Sequence, residues 1–365
     1  MTRRILIIAL ALPLAVLAGC SQKWLAEAIV TVPNTNRTGG PPADNAGSML
    51  SRGDIDAAFR VQGASPDVSL SVWIVDPPGH LDHAVHTPRG TILVTHGLRG
   101  NKRHMLRLGH FLARRGYRAV LVDLRGHGAS SGRWGTFGVM EARDLSRVID
   151  RLESDGLLAG HVGAIGHSWG GVAALQLAAG DPRVRAVVAV AAFSSMRNIV
   201  PPYVKRNAPF ADLITDAQIA GAIERAGRIA GFDPDDADSL VAAQTTEARI
   251  LFVHGEKDGL VPADHSRAMH ERAGATAGLL IVDNANHRMV MSGARGREVA
   301  RAAVDWFDNW LATTAAQDLN EACRSVFNSS TMRRAASPRW DNAFFFSGGS
   351  SALVQPSSGS SNSGS

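Results

Sequence analysis

The sequence predicts a doubly wound α/β domain with a mostly parallel sheet over residues 54–313. Seven short segments are apolar along nearly their whole length, and they lie at 68–75, 91–95, 118–124, 161–166, 184–192, 249–254 and 278–283. Helix-like stretches separate most of them, at 102–115, 138–155, 169–180, 263–273 and 295–312. Strands that are continuously apolar, rather than apolar at alternate positions, are typical of a parallel sheet covered by helices on both faces.

The charge distribution gives no reason to expect a nucleic-acid partner. The net charge is +5 over 365 residues. Arg3 and Arg4 supply +2, and residues 319–365, with four arginines against one glutamate and one aspartate, supply another +2. About +1 is left for residues 5–318, which is too little for a surface that would bind a phosphate backbone.

The N-terminus has the pattern of a signal peptide over residues 1–19. An arginine pair precedes an apolar stretch, residues 5–18, that is short for a membrane span. The Leu-Ala-Gly-Cys sequence that ends at Cys20 resembles a bacterial lipobox, in which the cysteine is lipidated and becomes the first mature residue. That resemblance implies a lipid anchor in the cell envelope, and Ser21 favours the outer membrane, facing the periplasm. A plain cleaved signal or a short apolar anchor is the alternative.

The segments on either side of the α/β domain have the composition of flexible chain. Residues 20–53 are predicted to be a tether, because 33–50 are rich in Pro, Gly and Asn and would span about 24 Å as a coil. Residues 314–365 end in a Ser- and Gly-rich run and are predicted to be a largely disordered tail. If Cys20 carries lipid, Cys323 has no partner for an internal disulfide.

Ser168 lies between glycines in "GHSWGG", where a predicted strand gives way to a predicted helix. In an α/β sheet, functional groups collect beyond the carboxyl ends of the strands. A Gly-x-Ser-x-Gly sequence in this position is typical of a nucleophile elbow, in which small neighbours let strand and helix approach and a strained turn presents the hydroxyl. The pattern alone arises often by chance, so the rest of the chain must supply a base.

His287 and Asp258 are the candidates for the base and its partner. Each follows a predicted strand, His287 in "DNANHRMV" and Asp258 in "LFVHGEKDGLVP". A serine hydroxyl needs a histidine to accept its proton, and the histidine needs an acid to orient it. The chain order Ser168, Asp258, His287 provides this arrangement, with each residue after its own strand.

Other residues could carry chemistry, and the sequence gives each a structural alternative. Asp123 also ends a strand and could be the acid, although Arg125 offers it an ion-pair partner, and His127 is interpreted as stabilising the same loop. The segment "HLDHAVH" places His80, Asp82, His83 and His86 at spacings that could hold a metal, but it lies in a Pro-rich loop without a glutamate base. No metal and no cofactor are expected.

Four stretches of the chain together resemble the α/β-hydrolase superfamily over about residues 65–312, and its serine-aminopeptidase-like and small-esterase branches in particular. They are "VTHGLRGNKRHM", "VDLRGHGASSGRWGTFGVMEARDL", "GHSWGG" and "HGEKDGLVP". The resemblance implies a sheet of the α/β-hydrolase type and an oxyanion hole formed by the backbone N–H groups of Leu98 and Trp169. It also implies a small helical cap at about residues 194–248, where the alternation of strands and helices is interrupted.

The expected activity is cleavage of a small-molecule ester or amide through an acyl-enzyme on Ser168. His287 would act as the general base and Asp258 would orient it. A serine peptidase or aminopeptidase, an acyltransferase or perhydrolase with the same triad, and a non-catalytic lipoprotein with this fold are the alternatives. The small size of the cap favours a shallow acyl pocket and short-chain esters.

Overall fold

An eight-stranded sheet organises the computed structural model, which describes residues 22–79, 87–208 and 211–311. The strand order is β1-β2-β4-β3-β5-β6-β7-β8. The strands are β1 (Ala57–Gln62), β2 (Ser69–Val75), β3 (Gly90–Thr95), β4 (Arg118–Val122), β5 (His161–His167), β6 (Val184–Val190), β7 (Arg249–Gly255) and β8 (Ala277–Val282). β2 runs antiparallel to both β1 and β4, and all other pairs are parallel. The predicted fold class, a mostly parallel sheet between layers of helices, is confirmed.

Helices cover both faces of the sheet. They are α1 (residues 22–30), α2 (Ala46–Ser51), α3 (Leu106–Ala113), α4 (Val139–Ser154), α5 (Trp169–Gly180), α6 (Met196–Asn207), α7 (Asp216–Ala230), α8 (Ser239–Thr245), α9 (Asp264–Ala273) and α10 (Gly293–Trp310). Short 3-10 helices lie at Lys102–Met105, Ala211–Leu213, Gly274–Thr276 and Met289–Met291. Buried residues of α1 and α4 to α9 belong to one core cluster, and those of α2, α3 and α10 belong to the other.

The strand register aligns the loops that carry the candidate site. Thr95, the last residue of β3, pairs with Val122 on one side and with Gly166 on the other. Further along the sheet, His167 pairs with Val190, and Val190 with Val253. Because parallel strands end at the same edge, the segments that follow β3, β4, β5, β6 and β7 all emerge at one side of the sheet.

β1 is the strand that hydrophobic pattern did not predict. It lies at the sheet edge and pairs only with β2. Of its six residues only Val61 is buried, while Arg60 and Gln62 are exposed. An edge strand covered in this partial way does not need a continuous apolar run, so its sequence lacks the signal that identified the other strands.

The region predicted as a cap contains α6, α7 and α8. On α7, Ile219, Ile223 and Ala226 are buried within the larger core cluster. This apolar stripe therefore packs inside the molecule and does not line an open groove. α6 packs on α7, whereas α8 contacts α5 and α9.

The N-terminal segment differs from the predicted tether. Leu25, Ala26 and Val30 of α1 are buried in the larger core cluster, and Met49 of α2 is buried in the other. Asn34 donates hydrogen bonds from Nδ2 to the carbonyl oxygens of two loop residues, each at 3.0 Å. Pro, Gly and Asn favour tight turns as much as flexible coil. The composition of residues 33–50 therefore does not distinguish a flexible tether from a series of turns that packs on the domain.

Several predictions concern residues outside the described ranges. These are the signal peptide and Cys20, the segment 80–86 with its histidines, and the predicted tail at residues 314–365. Within the ranges that the structure does describe, no helix combines the length and the apolar character needed to cross a bilayer.

Packing of α1 predicts different effects for two adjacent substitutions. Leu25 is buried, whereas the neighbouring Trp24 is 51% exposed. We expect Leu25→Ala to lower the free energy of unfolding by about 2–3 kcal/mol through loss of packing. Trp24→Ala should change it by less than about 0.5 kcal/mol. Urea unfolding of both variants measures this, and identical midpoints for Leu25→Ala and the wild type would show that α1 is not part of the core.

Candidate active site

Ser168 lies at a sharp turn between β5 and α5. Its backbone has φ 55° and ψ −116°, a conformation that L-residues rarely adopt. The turn is held because the Ser168 N–H donates to the Val190 carbonyl at 2.7 Å, while the Ser168 carbonyl accepts from Val172 N–H at 3.1 Å. Strain of this kind persists only where the surrounding structure imposes it, and it is concentrated at functional sites.

Two glycines are required for this turn. A Cβ on Gly166 would lie 2.2 Å from the backbone carbon and oxygen of Gly170. A Cβ on Gly170 would lie 2.6 Å from the carbonyl oxygen of His96. β5, α5 and the end of β3 therefore meet at van der Waals contact around Ser168. The glycines of the elbow sequence are explained by this close approach of three backbones.

The structure brings Asp258 and His287 together. Asp258 follows β7, His287 follows β8, and His287 Nδ1 donates to Asp258 Oδ2 at 2.7 Å. The other carboxylate oxygen of Asp258 accepts from the backbone N–H groups of Leu260 and Val261, both at 2.9 Å. Asp258 is buried. It therefore fixes the orientation of the imidazole and leaves Nε2 of His287 available for a proton.

Hydrogen bonds keep Asp258 ionised. Burial by itself would raise the pKa of this carboxyl, but hydrogen bonds from His254 and His287 outweigh burial and lower the pKa below its ordinary value. The His254 ring is itself fixed by Ser266 Oγ at 2.7 Å and by the Val261 carbonyl at 2.8 Å. A carboxylate in this state can stabilise positive charge that forms on His287.

His167 connects the serine turn to the His287 loop. Its Nε2 donates to the backbone carbonyl of His287 at 2.8 Å, and the two rings lie 4.8 Å apart between centroids. Burial, and then the neighbouring His287, lower the pKa of His167 to about 4, so its ring is neutral at pH 7. Because Ser168 follows directly in the chain, these contacts bring the serine turn next to the loop that carries His287. His167 was not among the residues predicted for the site, because its only signal in the sequence is its place between Gly166 and Ser168.

The hydrogen bonds of the described residues do not include one between Ser168 Oγ and His287. In an enzyme without substrate, catalytic hydrogen bonds are often long and shorten when the substrate binds. The geometry thus consists of a tightly bonded pair, Asp258 and His287, adjacent to a constrained serine.

The loop after β3 approaches the serine at Gly97. A Cβ at this position would lie 3.3 Å from Ser168 Cβ and 3.1 Å from His167 Nδ1. Leu98 follows Gly97 directly, and Trp169 is the first residue of α5, where helix N–H groups have no partner within the helix. The two predicted oxyanion donors therefore belong to segments in contact at Ser168.

Asp123 is engaged in hydrogen bonds that hold loops together. It accepts hydrogen bonds from Lys102 N–H at 2.6 Å, from Lys102 Nζ at 2.6 Å and from Ala129 N–H at 2.8 Å. Its partner is therefore Lys102 and not the expected Arg125, which pairs with Asp144 through two hydrogen bonds of 2.7 and 2.9 Å. The acid that contacts His287 is Asp258.

His127 is not bonded to the Asp258–His287 pair, and it stabilises a loop as predicted. His127 is buried and its Nδ1 donates to the Arg125 carbonyl at 2.8 Å, so it braces the loop after β4. In the described part of the chain, no group of three His, Cys, Asp or Glu residues is placed to hold a metal ion. The segment with His80, Asp82, His83 and His86 lies outside that part.

Comparisons with known proteins agree with this fold. Residues 61–218 match the model of the X-Pro dipeptidyl-peptidase family (S15 family). A curated relative, the uncharacterized protein YqkD of Bacillus subtilis, is 25% identical over 270 residues, covering 70% of this chain and 82% of YqkD. The Pyrococcus furiosus esterase Pf2001 superposes with a TM-score of 0.57 at 19% identity, covering 74% of this chain and 99% of the esterase.

A second solved structure is a peptidase. The acylaminoacyl peptidase of Pyrococcus horikoshii superposes with a TM-score of 0.51 at 17% identity, over 71% of this chain and 42% of that one. These similarities show that the chain has the α/β-hydrolase fold. Together with the family match, which covers less than half of the chain, they support an enzyme of the serine hydrolase class.

The contacts of the two candidate acids predict different effects of neutralising them. Asp258→Asn leaves His287 without an anion on Nδ1, and in the best-studied triad the equivalent change lowers kcat by about 10⁴-fold. Asp123→Asn does not touch His287. It removes the carboxylate closest to the buried Lys102 ammonium and should lower the free energy of unfolding, with a smaller loss of kcat than Asp258→Asn. The measurements are kcat on a p-nitrophenyl ester and the urea midpoint. A kcat for Asp258→Asn within tenfold of the wild type would contradict the assignment.

Proposed function

We propose that this protein is a serine hydrolase that cleaves carboxylic esters through an acyl-enzyme on Ser168. The observation that carries the proposal is the 2.7 Å hydrogen bond between buried Asp258 and His287 Nδ1, beside a serine held in a strained turn. A solvated loop histidine would need neither a buried acid nor contact with the serine turn. The same three residues are the ones that the chain order predicts for a triad.

The proposed chemistry begins with attack of Ser168 Oγ on the carbonyl carbon. The hydroxyl proton moves to His287 Nε2, and Asp258 stabilises the imidazolium through Nδ1–H. The N–H groups of Leu98 and Trp169 donate to the oxyanion that forms, a contribution of about 3 kcal/mol each. The tetrahedral intermediate expels the alcohol, which takes the proton from Nε2. Water then loses a proton to His287 Nε2 and attacks the acyl-enzyme. The second tetrahedral intermediate expels Ser168 Oγ, which takes this proton back from Nε2, and the acid is released.

Exposed apolar side chains close in sequence to the site residues favour an ester with apolar substituents. Leu98 directly follows Gly97, Leu260 lies two residues after Asp258 and Met289 two residues after His287, and each is between 37% and 39% exposed. Tyr203 on α6 is 40% exposed. Large apolar side chains on a surface mark binding sites when they are grouped. Because the apolar stripe of α7 is buried, it offers no groove for a long acyl chain.

Peptide hydrolysis is the second candidate function. The match of residues 61–218 to a dipeptidyl-peptidase family favours it. Transfer of the acyl group to an acceptor other than water, or to peroxide, would use the same acyl-enzyme. A non-catalytic role would not explain why the strained backbone of Ser168 is retained, since such strain is concentrated at functional sites.

A substrate series tests the proposed specificity. We expect kcat/KM for p-nitrophenyl esters to be highest at short acyl chains and to exceed kcat/KM for aminoacyl p-nitroanilides, because the small predicted cap favours a shallow acyl pocket. Ser168→Ala should lose activity on every substrate by several orders of magnitude while its unfolding midpoint is unchanged. A maximum at long chains would overturn the short-chain assignment, and faster cleavage of amides would establish the peptidase.

We further propose that Cys20 is lipidated and holds the protein at the outer membrane, facing the periplasm. Only Ser21 separates Cys20 from the first described residue of α1. Two residues span at most about 7 Å, and α1 packs on the domain through Leu25 and Val30. The lipid would therefore keep the domain close to the bilayer, because the intervening chain is too short to act as a tether.

Detergent phase partitioning tests the anchor. We expect the wild type to enter the detergent phase, since two or more acyl chains bind membranes far more strongly than one. Cys20→Ala should be unlipidated and should keep the mass of the unprocessed precursor, residues 1–19 included. Cys323→Ala is the matched control and should behave as the wild type. Wild-type protein in the aqueous phase would refute lipidation.

A further inference from the structure

The N-terminal segment, residues 31–53, crosses the loop that follows β4. Val32 is buried, and its methyl groups would lie 2.2 Å and 2.7 Å from a Cβ built on Gly126 and Gly135 respectively. The backbone N–H of Asn34 donates to the Gly126 carbonyl at 2.9 Å. This segment therefore lies in direct contact with the loop of residues 124–135, next to the edge of the sheet where the candidate active site forms.

Further along, Asp44 reaches a buried cation. Lys102 Nζ lies 2.7 Å from Asp44 Oδ1 and 2.6 Å from Asp123 Oδ2. Ser71 Oγ is 2.8 Å from the same nitrogen and donates to Asp44 Oδ2 at 2.5 Å. The ammonium also lies 4.4 Å from the centroid of the Trp73 ring. The side chain of Lys102 is only 3% exposed and that of Asp44 is 23% exposed, so the ion pairs are largely removed from solvent.

Lys102 also lies at the end of the loop after β3, residues 96–102, which carries Leu98. At the start of this loop, His96 Nε2 accepts a hydrogen bond from Leu124 N–H at 3.1 Å. At its end, Lys102 N–H donates to Asp123 Oδ1 at 2.6 Å. The loop is thus fastened at both ends to consecutive residues after β4. The proposed oxyanion donor, Leu98 N–H, lies between the two attachments.

The cluster holds two carboxylates against one ammonium. Asp123 is fully engaged by Lys102 and by Ala129 N–H, so its removal would leave a buried cation with only the partly exposed Asp44. Removal of Asp44 leaves an ion pair between Lys102 and Asp123 and therefore preserves charge balance. Loss of the Asp44 charge should consequently loosen Lys102 without unfolding the domain.

We propose that Asp44 is a positioning residue for the oxyanion hole. Residues 31–53 would then contribute to catalysis by holding Asp44 against Lys102. Asp44 acts through Lys102, which sets the end of the loop that presents Leu98 N–H to the oxyanion. This inference rests on the proposed hydrolase function. An oxyanion donor interacts with charge that exists only in the transition state. Displacement of the donor therefore lowers kcat and leaves KM nearly unchanged.

The kinetic test compares Asp44→Asn with Asp54→Asn. Asp54 directly follows this segment and pairs with Arg52 at 2.8 Å on the surface, so its substitution makes the same change in charge away from Lys102. We expect Asp44→Asn to lower kcat for a p-nitrophenyl ester by about 10-fold to 100-fold, the scale of a small misplacement, with KM changed less than twofold. Asp54→Asn should leave both constants unchanged. Asp44→Glu, which keeps the charge, should recover part of kcat.

Amide hydrogen exchange provides a readout that does not depend on hydrolysis. In Asp44→Asn, peptides that cover residues 96–105 should exchange about tenfold faster than in the wild type and in Asp54→Asn, while peptides from β5 and β6 exchange at the wild-type rate. Unchanged exchange of the loop, or equal effects of both variants on kcat, would overturn the positioning role. An inactive wild type would refute the proposed hydrolase function, and exchange would still decide whether Asp44 holds the loop.

Discussion

The close approach of β5 and α5 at Ser168 is the constraint on which the rest of the site depends. Neither Gly166 nor Gly170 has room for a Cβ. The backbone of Ser168 is held at a positive φ by its hydrogen bonds to Val190 of β6 and Val172 of α5. This packing fixes the serine before any substrate arrives. It also exposes the first N–H groups of α5 at the place where negative charge would form, which is a favourable position for an anion. The loops with His287 and Gly97 then need only pack against this turn.

Much of the fold could be predicted because a parallel sheet buried on both faces leaves continuous apolar runs in the sequence. The seven strands from β2 to β8 carry that signal. β1 does not, because a half-exposed edge strand places few demands on its side chains. The N-terminal segment was predicted to be a flexible tether, although it packs on the domain, for a related reason. Its turn-forming residues suggest flexible chain, and the few apolar residues that bury it, such as Val32, are too sparse to form a period.

Some residues of the site could be predicted from the sequence and others could not. Asp258 and His287 could be identified from their order after two strands, and the structure brings Oδ2 and Nδ1 to 2.7 Å. Lys102 could not, because a single lysine gives no sign that the fold will bury it between two carboxylates. His167 was hidden inside the elbow sequence itself. Both act through contacts between segments that are distant in sequence, and these contacts exist only once the sheet has brought the segments together.

The proposed mechanism requires Ser168 to carry an acyl group during turnover. Intact-mass spectrometry after rapid mixing with p-nitrophenyl butyrate detects such a group directly. We expect a transient species heavier by one butyryl group, located by fragmentation to Ser168. It should form with a burst of about one p-nitrophenolate per chain and be absent from Ser168→Ala. Turnover without any acylated species, or an adduct that persists in Ser168→Ala, would contradict acylation of Ser168.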